Sequence, residues 1–398
     1  MKLPAIAWTQ RQSLKAVVAA LDGQARFVGG AVRDTLLELP VTDIDLATPL
    51  LPDAVLGQLA LAGIKGLPTG IAHGTITAVT IDGPVEITTL RRDVSTDGRR
   101  ATVAFSDDWK EDAARRDFTI NALSADPKTL EIYDYFGGID DLSVRSVRFI
   151  GAASERIAED HLRILRYFRF LARFGSGQAD PVAVQACIAA APQLKALSRE
   201  RIAAELLKLL AAQDPRFAVT MMIDGDIFVH MLAAIDPDAK GLFDRLLARE
   251  QRFAIAPDAM RRLVALLPKA APQARAIAAS LKLSKRMRDA LVARLHEAEA
   301  SPATVRALAY REGLDAARDT ALLFGAEDDV ADMLALLTDW KIPEFPMTGG
   351  DLIALGLQPG PAVSKILRDV RDAWIAEAFP DKDRVRQLAR AAVARSET

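Results

Sequence analysis

Two aspartates close behind a pair of glycines, with a third acid further along the chain, give this sequence its first chemical signal. In residues 26–49, RFVGGAVRDTLLELPVTDIDLATP, a short apolar run ends at Gly29 and Gly30, Arg33 follows, and Asp43 and Asp45 flank Ile44. Two glycines between a strand and a helix let the backbone approach a ligand closely. The free N–H groups at the helix start then favour a phosphate, and Arg33 adds a charge-assisted donor within the first turn. Residues two apart in a strand face the same side, so Asp43 and Asp45 are expected to point together with Ile44 opposite. Paired carboxylates suit a hard divalent cation such as Mg²⁺. Phosphoryl transfer on two metals, about 3.5–4 Å apart, calls for further acids. Glu86, set in the apolar run VEITTL, is the third candidate, and Arg91 stands five residues on. The plain alternatives are a glycine turn, a solvated Asp-x-Asp loop, and a glutamate on the wet face of an edge strand.

The elements that must position these groups fall into two compositions. From about residue 25 to 150, β-branched runs alternate with Gly-rich turns (ARFVGG, GTITAVTID, VEITTL, LEIYDYFGG), as expected of strands with interspersed helices. Beyond residue 150 the pattern is helical and rich in Ala, Leu and Arg, punctuated by Pro. The clearest linker is 341–361, KIPEFPMTGGDLIALGLQPGP. Of the 398 residues, 50% are hydrophobic and 26% charged, which suits a soluble chain with a substantial core. The one cysteine, Cys187, excludes an internal disulfide and sits in the alanine-rich AVQACIAAAP, as a buried structural thiol would. The opening lacks the apolar core of a signal peptide, and no run of about 18 apolar residues occurs, so a cytoplasmic protein without membrane contact is expected. A net charge of −2 gives no overall basic excess, so any polyanionic partner must be met by locally clustered cations.

The motifs together resemble the class II tRNA nucleotidyltransferase and bacterial poly(A) polymerase family, within the polymerase-β-like nucleotidyltransferases. GGAVRD with DID resembles its metal and triphosphate motif. Residues 97–123, DGRRATVAFSDDWKEDAARRDFTINAL, resemble its flexible loop and RRDFTINAL motif. GGIDDL at 137–142 resembles the connection into the neck. Residues 148–175, RFIGAASERIAEDHLRILRYFRFLARFG, resemble the nucleotide-recognition motif, and 198–210, SRERIAAELLKLL, the last neck motif. TGIAHGTITAVTIDGPVEITTLR and the tail segment 349–367, GGDLIALGLQPGPAVSKIL, resemble the CCA-adding branch. An intact loop around residues 97–100 argues against the CC-only subgroup.

The resemblance implies an α/β polymerase-β-like nucleotidyltransferase head followed by an all-helical neck, body and tail. The expected divisions are 1–145 for the catalytic head, 146–212 for the neck, 213–340 for the body and 341–398 for the tail. The implied reaction is template-independent addition of CCA to the tRNA 3′ end from CTP and ATP, with release of pyrophosphate. Asp43 and Asp45 would hold two Mg²⁺ ions, Glu86 would complete the site on the primer side, and Gly29, Gly30 and Arg33 would hold the triphosphate. Arg116 would reach phosphate, while Asp117 and Asn121, four residues apart, would share a helix face toward the ribose. A helix cap by Asp117 is the plain alternative.

Residues 159–173, EDHLRILRYFRFLAR, wound as one helix, place Arg163, Arg166, Arg169 and Arg173 within about 120° of one another. Such a stripe on an arbitrary helix is a solvated face. Here Glu159 and Asp160 precede it, and an aspartate beside an arginine can read a base edge. Cytosine and adenine each offer an amino donor next to a ring-nitrogen acceptor, which Asp160 and Arg163 complement; uracil and guanine invert both positions. One unmet buried pairing costs about 1–3 kcal/mol, so UTP and GTP are rejected. Glu159 would brace Arg163 or Asp160, with Arg166 and Arg169 near base or phosphate. Both accepted bases satisfy the same pair, so the switch from C to A is assigned to the 91–110 loop. The tRNA acceptor arm would lie along the helical half, recognised through backbone and shape, and no obligate protein partner is evident. The competing readings are a poly(A) polymerase or A-adding enzyme on the same scaffold, and a non-catalytic RNA-binding homologue.

Overall fold

The computed structural model describes residues 1–96, 101–232, 234–295 and 300–396. The chain forms two compact units, Met1–Ala233 and Ala234–Thr398. Nine strands occur among the described residues of the first unit: β1 Arg26–Val28, β2 Asp45–Thr48, β3 Lys65–Gly70, β4 Thr75–Thr80, β5 Gly83–Thr89, β6 Arg91–Thr96, β7 Ala101–Phe105, β8 Ser124–Ala125 and β9 Ile132–Tyr133. Seven of them make a mixed sheet in the order β3-β4-β5-β2-β1-β8-β9, and β6 and β7 form a separate antiparallel pair.

Strand alternation explains how the sheet presents its acids. In β5, Val85 and Ile87 are buried while Glu86 between them is exposed. The neighbouring β2 runs parallel with Asp45 opposite Glu86 and Leu46 opposite Ile87. Leu46 and Ile87 pack into the core, so the two acids share the open face. Asp43 lies just outside β2, which begins at Asp45; the expectation of both aspartates in one strand is corrected to one in the strand and one in the preceding loop. Ile44 between them is buried as expected.

Three further expectations are corrected. The 91–110 segment contains the antiparallel β6–β7 pair, followed by the Trp109–Ala114 helix, rather than a loop throughout; residues 97–100 lie outside the described residues. Asp117 and Asn121 do not lie on one α-helix. Asp117 precedes a single 3₁₀ turn, Thr119–Asn121, and gives it no side-chain cap. The 159–173 segment is broken: one helix ends at Glu159, Asp160 is extended (φ −152°, ψ 105°), and the next helix spans Leu162–Phe174. That helix buries Ile164, Leu165, Tyr167, Phe168 and Leu171, leaving its arginines on the other face.

The second unit is helical throughout its described residues. Part of the expected 341–361 linker is itself a helix, Gly349–Ala354, started by a capping box in which Thr348 and Asp351 satisfy each other's backbone N–H groups. It belongs to a core built on Leu352, Val370, Trp374, Val385 and Ala389. Elsewhere in the unit, Asp319 bonds Arg261 (2.8 Å) and Arg294 (2.7 Å), while Glu250 bonds Arg261 and Arg262 (both 2.7 Å), all five buried. Among the described residues no helix is long and apolar enough to cross a membrane.

Candidate active site

A cleft of about 430 Å³ in the first unit gathers most of the expected residues: Gly29, Gly30, Arg33, Asp45, Arg116, Asp117, Asn121, Asp160, Arg163 and Arg166 line it, with Arg115, Leu162, Phe170 and Arg201. Asp43, Glu86, Glu159 and Arg169 do not line it. Two ends can be distinguished by chemistry.

At the acidic end, Gly29 turns the chain from β1 into the Gly30–Leu36 helix with φ +63°, where a side chain is strained. A Cβ there would also stand 2.9 Å from the Arg116 guanidinium, so the glycine admits both the turn and the arginine. Asp45 is pushed up to about 6 from an ordinary 3.8; burial is the largest cause, Glu86 and Asp43 add to it, and only Arg116 opposes it. The protein thus leaves a carboxylate cluster short of positive charge. Its donors are hard oxygens, which fit Mg²⁺. Among the described residues no group of three or more His, Cys, Asp or Glu side chains is placed to hold a metal ion.

The floor of the cleft is a chain of buried polar groups. Arg33 stacks on Phe174 (4.3 Å), donates to Asp34 (2.7 Å) and donates to the Asn121 amide oxygen. Burial is the largest cause that lowers the Arg33 pKa, aided by Arg173 and Arg169. Asn121 in turn donates to Asp117 (2.8 Å), and Asp117 accepts from Arg166 (2.7 Å) and from the Phe118 N–H (2.9 Å). Burial alone would raise Asp117, but Arg166 and these hydrogen bonds outweigh it and hold the carboxyl below the ordinary range. This wall is preorganised, because each member is oriented by the next.

At the other end stand the candidate base readers. Arg163 pairs with Glu159 and donates to the Arg156 carbonyl oxygen (2.8 Å), so Glu159 braces Arg163 rather than Asp160. Asp160 accepts the Leu162 N–H (3.0 Å) and pairs with Arg201 (2.7 Å). Arg169 turns away to Glu205 (2.6 Å), and Arg173 pairs with Asp34 (3.2 Å). Arg91 donates to the His73 carbonyl oxygen (2.7 Å). Residue-by-residue reading missed Arg201, Glu205 and Asp112. Asp112 clamps Arg115 (2.7 Å) and Arg116 (3.3 Å). A polar signal was available for two of them: Arg201 and Glu205 lie four apart in SRERIAAELLKLL, and Glu205 is buried among apolar neighbours.

Residues 25–148 match a family profile described as the poly A polymerase head domain, and residues 179–239 match one described as a probable RNA and SrmB-binding site of polymerase A. A Danio rerio protein named CCA tRNA nucleotidyltransferase 1, mitochondrial, is 35% identical over 366 residues, covering 88% of this chain and 83% of its own. A Streptococcus pneumoniae CCA-adding enzyme is 33% identical over 367 residues, covering 88% of this chain and 89% of its own. Among solved structures, a Bacillus stearothermophilus CCA-adding enzyme in complex with CTP aligns with a TM-score of 0.74 at 25% identity, over 98% of this chain and 100% of that one.

Proposed function

The chain belongs to the CCA tRNA nucleotidyltransferase family, and on that premise we propose that it adds C, C and A to the tRNA 3′ end from CTP and ATP, without a nucleic-acid template. The observation that carries this reading is the single cleft that holds Asp45, Gly29, Gly30 and Arg33 at one end and Asp160 and Arg163 at the other. A nucleoside triphosphate would fit this arrangement with Mg²⁺ between its phosphates and the carboxylates, and with its hydrogen-bonding base toward Asp160 and Arg163.

Asp43 and Asp45 would hold two Mg²⁺ ions, with Glu86 on the side of the incoming RNA end. Bound there, the ions supply the acidity that ionises the 3′-hydroxyl and the charge that neutralises the leaving pyrophosphate. Gly29 and Gly30 admit the triphosphate backbone-first, and Arg116 faces it beside Gly29. Asp117 and Asn121, held by Arg166 and Arg33, would set the ribose. Asp160 accepts from the exocyclic amine of C or A while Arg163 donates to the ring nitrogen. The acceptor arm of tRNA would lie on the helical half. A division into head, neck, body and tail at 145, 212 and 340 is part of this proposal, as is a cytoplasmic location, although the zebrafish relative is described as mitochondrial.

Replacing both Asp43 and Asp45 with Ala tests the assignment. Incorporation should vanish while tRNA binding by gel shift stays within about twofold, since these acids make no RNA contact in the scheme. Surviving incorporation would overturn the metal assignment.

A further inference from the structure

The two base readers are braced by different partners, and only one of those partners follows from the recognition motif itself. Arg163 is held by Glu159, four residues away. Asp160 sits on the extended link between two helices, where helical packing does not fix its side chain. What fixes it is a residue from a third element. Arg201, in the Arg199–Leu210 helix, reaches the cleft and binds Asp160 Oδ2 at 2.7 Å, while Oδ1 accepts the Leu162 N–H at 3.0 Å.

We propose that Arg201 is a positioning residue for nucleotide selection, acting through Asp160; this rests on the base-reading role given to Asp160 above. A carboxylate offers about four lone-pair sites. The Arg201 and Leu162 contacts take one on each oxygen, which fixes the plane of the group and leaves the remaining acceptors for the base. Arg201 also supplies the counter-charge that Asp160 would otherwise find elsewhere. Arg163 lines the same cleft as Asp160. Without Arg201, Asp160 turns onto Arg163, and the two readers satisfy each other instead of the base. The filter then closes on itself: C and A lose their partners, and the penalty that U and G meet is lost as well.

Arg201 suits a clean test because its side chain is 41% exposed, so truncation does not open the core. The experiment compares wild type, Arg201→Ala and Arg201→Lys, using tRNA lacking its last three residues with CTP, ATP and UTP as separate substrates. Arg201→Ala should raise the KM for CTP and ATP at least about tenfold and leave the KM for tRNA within about twofold. The ratio of kcat/KM for CTP over UTP should fall at least about tenfold, equivalent to roughly 1.4 kcal/mol of discrimination. Arg201→Lys, which keeps the charge, should recover most of that ratio. A role in folding alone would lower kcat for every substrate and leave the ratio unmoved; that result overturns the proposal, as does a lysine variant no better than alanine. Wild type failing to prefer C and A over U would instead overturn the underlying reading of Asp160.

Discussion

Replacing Asp45 with Asn should inactivate the protein and stabilise it at the same time. The Asp45 carboxyl is half-buried, and burial, with Glu86 and Asp43 adding to it, pushes it up to about 6 from an ordinary 3.8. A carboxyl raised on folding is a liability once ionised. Its stability contribution is intact below the unfolded value, near 4, and is lost as pH rises through about 6. At about 1.4 kcal/mol per pH unit, the cost above pH 7 is at most roughly 3 kcal/mol. Solvent reaches part of the group, so about 1–2 kcal/mol is the realistic figure. For a unit of this size each kcal/mol moves the melting midpoint by about 2–4 °C. Asp45→Asn should therefore melt about 2–8 °C above wild type at pH 8 in EDTA, with roughly half that gain at pH 5, where the wild-type carboxyl is mostly protonated. Saturating Mg²⁺ should shrink the gap by stabilising wild type alone. A variant that melts below wild type at pH 8, or a gain identical at pH 5 and pH 8, would refute the reasoning.

Gly29→Ala places a side chain at φ +63° and 2.9 Å from the Arg116 guanidinium; the strain is about 1–3 kcal/mol. Steady-state kinetics should show a higher KM for both CTP and ATP with unchanged tRNA affinity. Asp160→Asn offers a donor as well as an acceptor, so discrimination against UTP should fall by about 10- to 100-fold in competition assays, in line with one unmet pairing of about 1–3 kcal/mol. In the second unit, Asp319→Ala strips the shared partner from buried Arg261 and Arg294. Urea unfolding should report a loss of about 3–5 kcal/mol, as expected when one partner of a buried ion pair is removed.

Much of the site was legible because its chemistry is local in sequence. The glycine pair, Arg33, Asp45 and the Arg116–Asp117–Asn121 group each sit within a few residues of a turn that the composition already marks, and all line the cleft. The exposed position of Glu86 was legible for a different reason: strand alternation singles out a charge between two buried apolar residues. The pairing that sets it opposite Asp45 is a parallel contact between strands far apart in sequence, which no local pattern encodes. The break at Asp160 was hidden because EDHLRILRYFRFLAR has unbroken helical periodicity, and nothing local in the sequence marks the extended residue. Arg201 and Glu205 escaped because each acts by reaching a residue on another element; Asp112 was missed although its partners Arg115 and Arg116 are only three and four residues away. The β6–β7 pair was read as a loop because RRDVST is charged and carries one apolar residue, so no period-two pattern marks it.

The most direct test supplies each labelled nucleotide, with Mg²⁺, to tRNA lacking its last three residues and to an unstructured oligoadenylate. Two C and one A added to the tRNA, with no U or G and no extension of the oligoadenylate, is the predicted result. Long A tracts on either RNA, or no incorporation at all, would contradict the assignment.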